Sequence, residues 1–138
     1  MDEGNEKIGR DKIMAKKRIL IVDDEDRYAR MMKLVLEQTG LYEVDYESKP
    51  LKALAKAREF KPDLILLDVI MPEMDGGDLA HQFENDPELG KIPIVFLTAL
   101  VGGKETSQGP VTRAGFLFLG KLTSDDELIR CIEENVRR

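Results

Sequence analysis

Disulfides are excluded at the outset. Cys131 is the sole cysteine in 138 residues, so no internal cross-link can hold this chain and its stability must come from a packed core. Cys131 lies beside an apolar helical stripe and reads as a small buried filler. Histidine is equally scarce: His81 is the sole one and stands on a helical segment, where it reads as a surface residue rather than a relay site. No apolar run approaches the ~18 residues of a membrane span, and the first residues carry no apolar signal core. Positive charge is in deficit, with 21 Lys and Arg against 27 Asp and Glu and a net charge of −6. That is the opposite of the basic face nucleic acids require. The expectation is a soluble cytoplasmic protein making no direct contact with nucleic acid or membrane.

What the chain does have is an alternation of strand and helix signals. Residues 1–16 are polar and aperiodic, with Gly4 and Gly9, and are expected to be a disordered leader or a cloning remnant. Residues 17–138 fit one domain, at a length typical of single domains. Arg18 to Val22 is apolar on both faces, as a central parallel strand should be. Asp26 to Gln38 repeats Tyr28, Met31, Met32, Val35 and Leu36 at helical spacing, with Gly40 as a stop. Tyr42 to Glu47 alternates like a half-exposed edge strand. Pro50 to Phe60 is helical, Leu64 to Leu67 a buried strand, Gly77 to Asn85 a short helix. Pro93 to Leu97 and Phe116 to Leu119 supply the fourth and fifth strands. The last helix is capped by Thr123 or Ser124, with Asp125, Asp126 and Glu127 in its first turn and Arg137 and Arg138 in its last, all matched to the helix dipole. Between Leu100 and Ala114 a helix is due, yet Gly102, Gly103, Gly109 and Pro110 oppose one. Any helix there should be short, irregular or mobile. Such alternation specifies α/β architecture, a parallel sheet with helices on both faces.

Each of four strands ends in a residue suited to phosphate or a cation. The first runs into Asp23 and Asp24, the third into Asp68, the fourth into Thr98 and the fifth into Lys121. In an open parallel sheet these ends share one edge, where crevices form. Crowded carboxylates repel one another, which raises their proton affinity unless a cation is present. Magnesium suits such a group, since it is hard, binds oxygen and retains waters. A carboxylate nucleophile, a cation, a hydroxyl and a lysine together read as a site for phosphoryl chemistry.

The ordered set of Asp23-Asp24, Asp68 within Leu67-Asp68-Val69-Ile70-Met71-Pro72, Met74-Asp75-Gly76, Thr98-Ala99 and Lys121 resembles the receiver domain of two-component response regulators, of the chemotaxis-regulator type. The resemblance covers about residues 17–138. It implies a doubly wound, flavodoxin-like sheet of five parallel strands in the order 2-1-3-4-5. It also implies that Asp68 accepts a phosphoryl group, in a magnesium-dependent reaction, from a sensor histidine kinase or phosphotransfer protein. Asp24 and Asp68 would ligate the ion directly, joined by the Ile70 backbone carbonyl, with Asp23 acting mainly through a metal-bound water. Lys121 would pair with the phosphoryl oxygens and Thr98, followed by Ala99, would donate its hydroxyl. Thr98 and Phe118 would form the switch that controls a downstream protein or an output domain outside this chain. The resemblance implies a phosphoacceptor that assists its own modification and is not an enzyme in the usual sense.

Two departures stand out. Leu122 follows the lysine where the family usually has proline in a cis peptide, a geometry that costs a non-proline residue ~2.5–4 kcal/mol. Ile70 and Leu100 occupy the positions two residues after the acceptor and the threonine. Neither can orient an attacking water, so self-dephosphorylation is expected to be slow. A pseudo-receiver, unphosphorylated and serving interaction or dimerisation, is the alternative; homodimerisation on phosphorylation stays open. A magnesium-dependent phosphatase would want a second acid at Ile70. A nucleotide-binding domain would want a glycine-rich loop after the first strand.

Overall fold

The computed structural model describes residues 15–99, 111–113 and 115–137. Strand β1 (Lys17–Val22) is followed by α1 (Asp26–Gln38), β2 (Tyr42–Glu47), a single 3-10 turn (Pro50–Lys52) and α2 (Ala53–Phe60). Then come β3 (Leu64–Asp68), α3 (Gly76–Asn85), β4 (Ile94–Thr98), β5 (Val111–Arg113), β6 (Phe116–Gly120) and α4 (Asp125–Asn135). The sheet order is β2-β1-β3-β4-β6-β5. Pairs β1·β2, β1·β3, β3·β4 and β4·β6 are all parallel. The expected five parallel strands in the order 2-1-3-4-5 are therefore present, with β6 in the fifth place, and the fold is flavodoxin-like.

The departure lies where the sequence opposed a helix. Val111–Arg113 forms a strand antiparallel to β6, pairing Val111 with Phe118 and Arg113 with Phe116. Gly115 takes φ +82° in the tight connection, a backbone conformation nearly closed to residues with a Cβ. Pro110 cannot sit inside a helix, whereas Val111 and Thr112 favour extended backbone. The rest of the anticipated irregular stretch, residues 100–110 and 114, lies outside the described residues, as do residues 1–14 and 138.

Alternation along the central strands divides the core between two faces. Ile19, Ile21, Leu64, Leu66, Val95 and Leu97 pack against Ala29, Met32 and Leu36 of α1 and against Leu128, Cys131 and Ile132 of α4. Leu20, Val22, Ile65, Leu67 and Phe96 pack against Ala53 and Ala57 of α2 and Leu79, Ala80 and Phe83 of α3. Burial on both faces is what a near-continuous apolar strand requires. Met31, expected on the buried stripe of α1, is 52% exposed, because the covered arc is narrow and runs through Ala29, Met32 and Leu36. Tyr42 is also deeper than an alternating edge strand suggested: its ring is buried and its hydroxyl donates to Glu133 Oε2 at 2.5 Å, tying β2 to α4.

Helix ends follow local chemistry. Ser124 Oγ accepts from Glu127 N–H at 3.1 Å, and the acids Asp125, Asp126 and Glu127 fill the first turn of α4. Arg137 is not in the last turn as expected. The helix ends at Asn135 with Val136 extended, and Arg137 N–H instead donates to the Asp63 carbonyl at 3.0 Å. Asp75 caps α3 by accepting from Gly77 N–H at 2.7 Å, so that helix starts at Gly76.

Candidate functional site: an acidic pocket at the sheet edge

Parallel register sets the carboxyl ends of β1, β3, β4 and β6 side by side. Asp23 leaves β1 just as the chain turns. Its backbone N–H still donates to the Glu47 carbonyl of β2 at 3.1 Å, and its Oδ1 accepts from Glu25 N–H at 2.9 Å. That side-chain bond closes the turn into α1. Asp68 is the last residue of β3. Carboxylate oxygens of Asp23, Asp24 and Asp68 all lie within 4.8 Å of one another. Asp23 and Asp68 are buried, at 1% and 6% exposure, while Asp24 is the most open of the three.

Opposite them stands Lys121, brought in by the end of β6. Its backbone N–H donates to the Thr98 carbonyl at 3.0 Å, which locks the lysine to the end of β4. The ammonium lies 2.7 Å from Asp23 Oδ2, 2.7 Å from Glu25 Oε1 and 3.7 Å from Asp68 Oδ1. Of these, the Glu25 contact is a hydrogen bond. The Asp23 contact is a close ion pair, and the buried Oδ2 has no other polar partner. Beneath the ammonium lies the Tyr28 ring, 4.7 Å away at its centroid, a cation–π placement.

Asp24, Glu25, Asp68, Ile70, Thr98, Ala99 and Lys121 line a cleft of about 330 Å³. Thr98 is buried at its floor, and the Ile70 side chain is 57% exposed at its rim. A larger hollow of about 580 Å³ runs along the loop from Val69 to Asp78 and on to Gln82. Its lining carries neither cation nor hydroxyl, so the smaller cleft holds the chemistry. Gly76 fixes the wall between them. A Cβ there would fall 2.3 Å from the Asp68 carbonyl oxygen and 2.9 Å from Val69 Cα, while Gly76 N–H donates to the Val69 carbonyl at 2.8 Å. The glycine of Met74-Asp75-Gly76 therefore lets the loop fold back against the end of β3.

Burial sets the charges on edge. The Asp68 carboxyl is pushed up to about 7, first by burial and then by the charge of Asp23, with Asp24 adding to the rise and Lys121 opposing it. Asp23 is raised too, chiefly by burial, against the pull of Lys121 and the Glu25 N–H. For Lys121, burial works against the charged form, but the carboxylates of Asp23, Glu25 and Asp68 outweigh it and hold the ammonium above its ordinary value. Tyr28 is pushed up to about 12 by burial and stays neutral. An acidic group that resists full ionisation is one short of positive charge. The donor set is all oxygen, with three carboxylates gathered within 4.8 Å, which fits a hard divalent cation.

Every residue that the sequence singled out for the edge, Asp23, Asp24, Asp68, Thr98, Ala99, Lys121 and Ile70, meets at this corner. Phe118 does not line the cleft. It stacks on Phe96 with centroids 4.8 Å apart and planes at 19°, one layer below Thr98 in the sheet. No cis peptide occurs among the described residues, so Lys121–Leu122 is trans, and the Leu122 side chain stands 89% exposed. Leu100 lies outside the described residues. Two residues not singled out for the edge by their sequence also stand here, Glu25 and Tyr28, through their contacts with Lys121. Their place directly after the acid pair, within the first turn of a helix that must pass the site, was the available signal.

Comparison with known proteins agrees with this geometry. The family model for the response regulator receiver domain matches residues 19–133. Response regulator PleD of Caulobacter vibrioides is 41% identical over 92 residues, which are 67% of this chain and 20% of PleD. Polar-differentiation response regulator DivK of Brucella anthropi is 36% identical over 83 residues, 60% of this chain and 67% of DivK. In three dimensions the chain superimposes on the chemotaxis protein CheY4 of Vibrio cholerae with a TM-score of 0.73 at 26% identity, covering 88% of this chain and 99% of that one. The fold and the acidic edge thus define a receiver domain of two-component signalling. The chain belongs to the response regulator receiver domain family, whose members are phosphoacceptors rather than enzymes in the usual sense. It spans about a fifth of the length of PleD.

Proposed function

We propose that Asp68 is the phosphoacceptor and that it takes its phosphoryl group from a phosphohistidine on a sensor histidine kinase or phosphotransfer protein. A carboxylate oxygen of Asp68 forms the new P–O bond as the P–N bond to the donor imidazole breaks. The bonding pair stays on the imidazole nitrogen, which takes up a proton. Asp68 lies at the floor of an open cleft, so the donor can approach in line while the ends of β1, β3 and β6 hold the surrounding charges still. The Lys121 ammonium, 3.7 Å from Asp68 Oδ1, would pair with a phosphoryl oxygen. Thr98, at the end of the adjacent strand, would donate its hydroxyl to another, with Ala99 beside it in the lining of the cleft.

Asp23, Asp24 and Asp68, with the Ile70 backbone carbonyl, are the groups that would hold magnesium. When bound, the ion neutralises the phosphoryl oxygens and the crowded carboxylates. Modification would add roughly −1.5 to −2 charge beside Thr98 and Lys121, if the acyl phosphate ionises as other phosphates do. Their response, passed to Phe118 through the Phe96–Phe118 stack, would alter the face presented to a downstream protein or output domain. A cytoplasmic location accords with these partners, and no helix among the described residues is long and apolar enough to cross a membrane.

The observation carrying this reading is the convergence of three carboxylates within 4.8 Å facing a buried lysine. The test is incubation with magnesium and acetyl phosphate, comparing wild type with Asp68→Asn by intact mass. Gain of one phosphoryl group by wild type alone supports the reading. No gain by either protein refutes it and favours the pseudo-receiver.

A further inference from the structure

The ammonium of Lys121 is held at close range by two acids other than the acceptor, Asp23 Oδ2 and Glu25 Oε1, each at 2.7 Å, and pairs with Asp68 only at longer range. It donates a hydrogen bond to Glu25 Oε1 at 2.7 Å, whereas Asp68 Oδ1 lies at 3.7 Å, beyond hydrogen-bond range. Glu25 is not a buried structural acid: its side chain is 63% exposed, while that of Lys121 is 7% exposed. The glutamate thus reaches from the rim over the mouth of the cleft to hold a lysine within. Its own backbone N–H is fixed to Asp23 Oδ1 at 2.9 Å, so the position of the rim residue is set by one of the acids of the pocket. The Tyr28 ring on the next turn limits retreat of the ammonium on the other side, at 4.7 Å.

We propose that Glu25 is a positioning residue that restrains Lys121 in the resting domain, so that phosphoryl transfer requires the lysine to pass from Glu25 to the phosphoryl oxygens. This rests on the reading of Asp68 as phosphoacceptor. Two physical consequences follow. The Lys121–Glu25 bond must break, or at least be shared, before the lysine can neutralise charge on the transferring group. Glu25 also adds a carboxylate at the mouth through which an anionic donor enters. Once Asp68 is modified, the phosphoryl charge outcompetes a partly hydrated glutamate, and Glu25 is released toward solvent at the start of α1.

The two consequences separate by variant. Glu25→Gln removes the charge and weakens the hold. Glu25→Asp keeps the charge at the rim, but its side chain is one methylene too short to reach Lys121. Acetyl phosphate is the probe: Asp68 forms the P–O bond, the donor's P–O bond to acetate breaks, and acetate leaves with the electron pair. Initial rates of phosphoryl gain with magnesium would be followed by mass, and the Lys121 ammonium 1H–15N signal by NMR. Both variants should accelerate phosphorylation by roughly two- to fivefold, the scale of one partly exposed ion pair. In both, the ammonium signal should broaden or shift before any donor is added.

If Glu25→Asp matches wild type in rate while Glu25→Gln is faster, only entrance charge matters and the restraint is refuted. Unchanged or slower rates in both variants refute it as well. Failure of wild type itself to gain a phosphoryl group overturns the acceptor reading and the restraint with it. Normal wild-type gain with unmoved variants overturns the restraint alone.

Discussion

Removing the negative charge of Asp68 should make the metal-free protein more stable, although Asp68 is the centre of the site. In the folded chain this carboxyl is raised from 3.8 to about 7, so the native state holds its proton over a range where the unfolded chain has lost it. Below about pH 4 both states are protonated and the group contributes no penalty. As pH rises from there to 7 the folded state loses stability relative to the unfolded one, and above 7 the loss is constant. Some three pK units at ~1.4 kcal/mol each set an upper bound of about 4 kcal/mol. Because Asp23 carries part of the same burden, a gain on the order of 2–4 kcal/mol is expected for Asp68→Asn at pH 8. For a domain of this size that corresponds to a melting temperature roughly 10 °C higher. The side chain is nearly fully buried, at 6% exposure, so solvent screening does not erase the effect. The assay is urea and thermal unfolding in chelator at pH 4, 5, 6, 7 and 8. The two proteins should nearly coincide at pH 4 and diverge steadily to pH 7. An Asp68→Asn variant less stable than wild type at pH 8, or a gap independent of pH, would refute the claim that these carboxylates are crowded.

Three other outcomes are expected. Gly76→Ala should cost at least ~2 kcal/mol in urea unfolding, because the new Cβ collides with backbone at the end of β3 rather than with a yielding side chain. Phe96→Ala should cost about 3–5 kcal/mol by calorimetry, since Phe96 is 2% exposed and contacts both the Phe116 and Phe118 rings. Once phosphorylated, the protein should lose its phosphoryl group slowly, because the apolar Ile70 at the rim cannot orient water. Ile70→Asn should shorten the half-life several-fold, and a half-life of only seconds in the wild type would count against this explanation.

The fold was legible because each central strand carries one unbroken apolar run and ends in a polar residue. Ile19 to Val22 into Asp23, and Leu64 to Leu67 into Asp68, mark strand, direction and edge together. A parallel arrangement then dictates which ends meet, and those residues do meet. What the sequence did not disclose depends on side-chain reach. Glu25 and Lys121 are far apart in the chain, and nothing local says that a rim glutamate extends over the cleft to the lysine. Tyr28 looked like ordinary core because a helical stripe does not reveal that its end turns toward the site. The antiparallel β5 was missed for another reason. Pro110 and the glycines argued against a helix, but three residues are too few for strand alternation to register. The α4 terminus was misplaced because Arg137 suits a helix end by charge, while its backbone is recruited by Asp63 in a neighbouring loop.

The central claim is that the carboxylate ending β3 is the atom group that carries the phosphoryl. It is tested most directly by reducing the phosphorylated protein with borohydride, which converts an acyl-phosphorylated aspartate to homoserine, and mapping the product by peptide mass spectrometry. Homoserine in place of Asp68, appearing only when magnesium and donor are both supplied, is the expected result. Homoserine in place of Asp23 or Asp24, phosphate on His81, or no modified peptide at all would show that the pocket is built for something else.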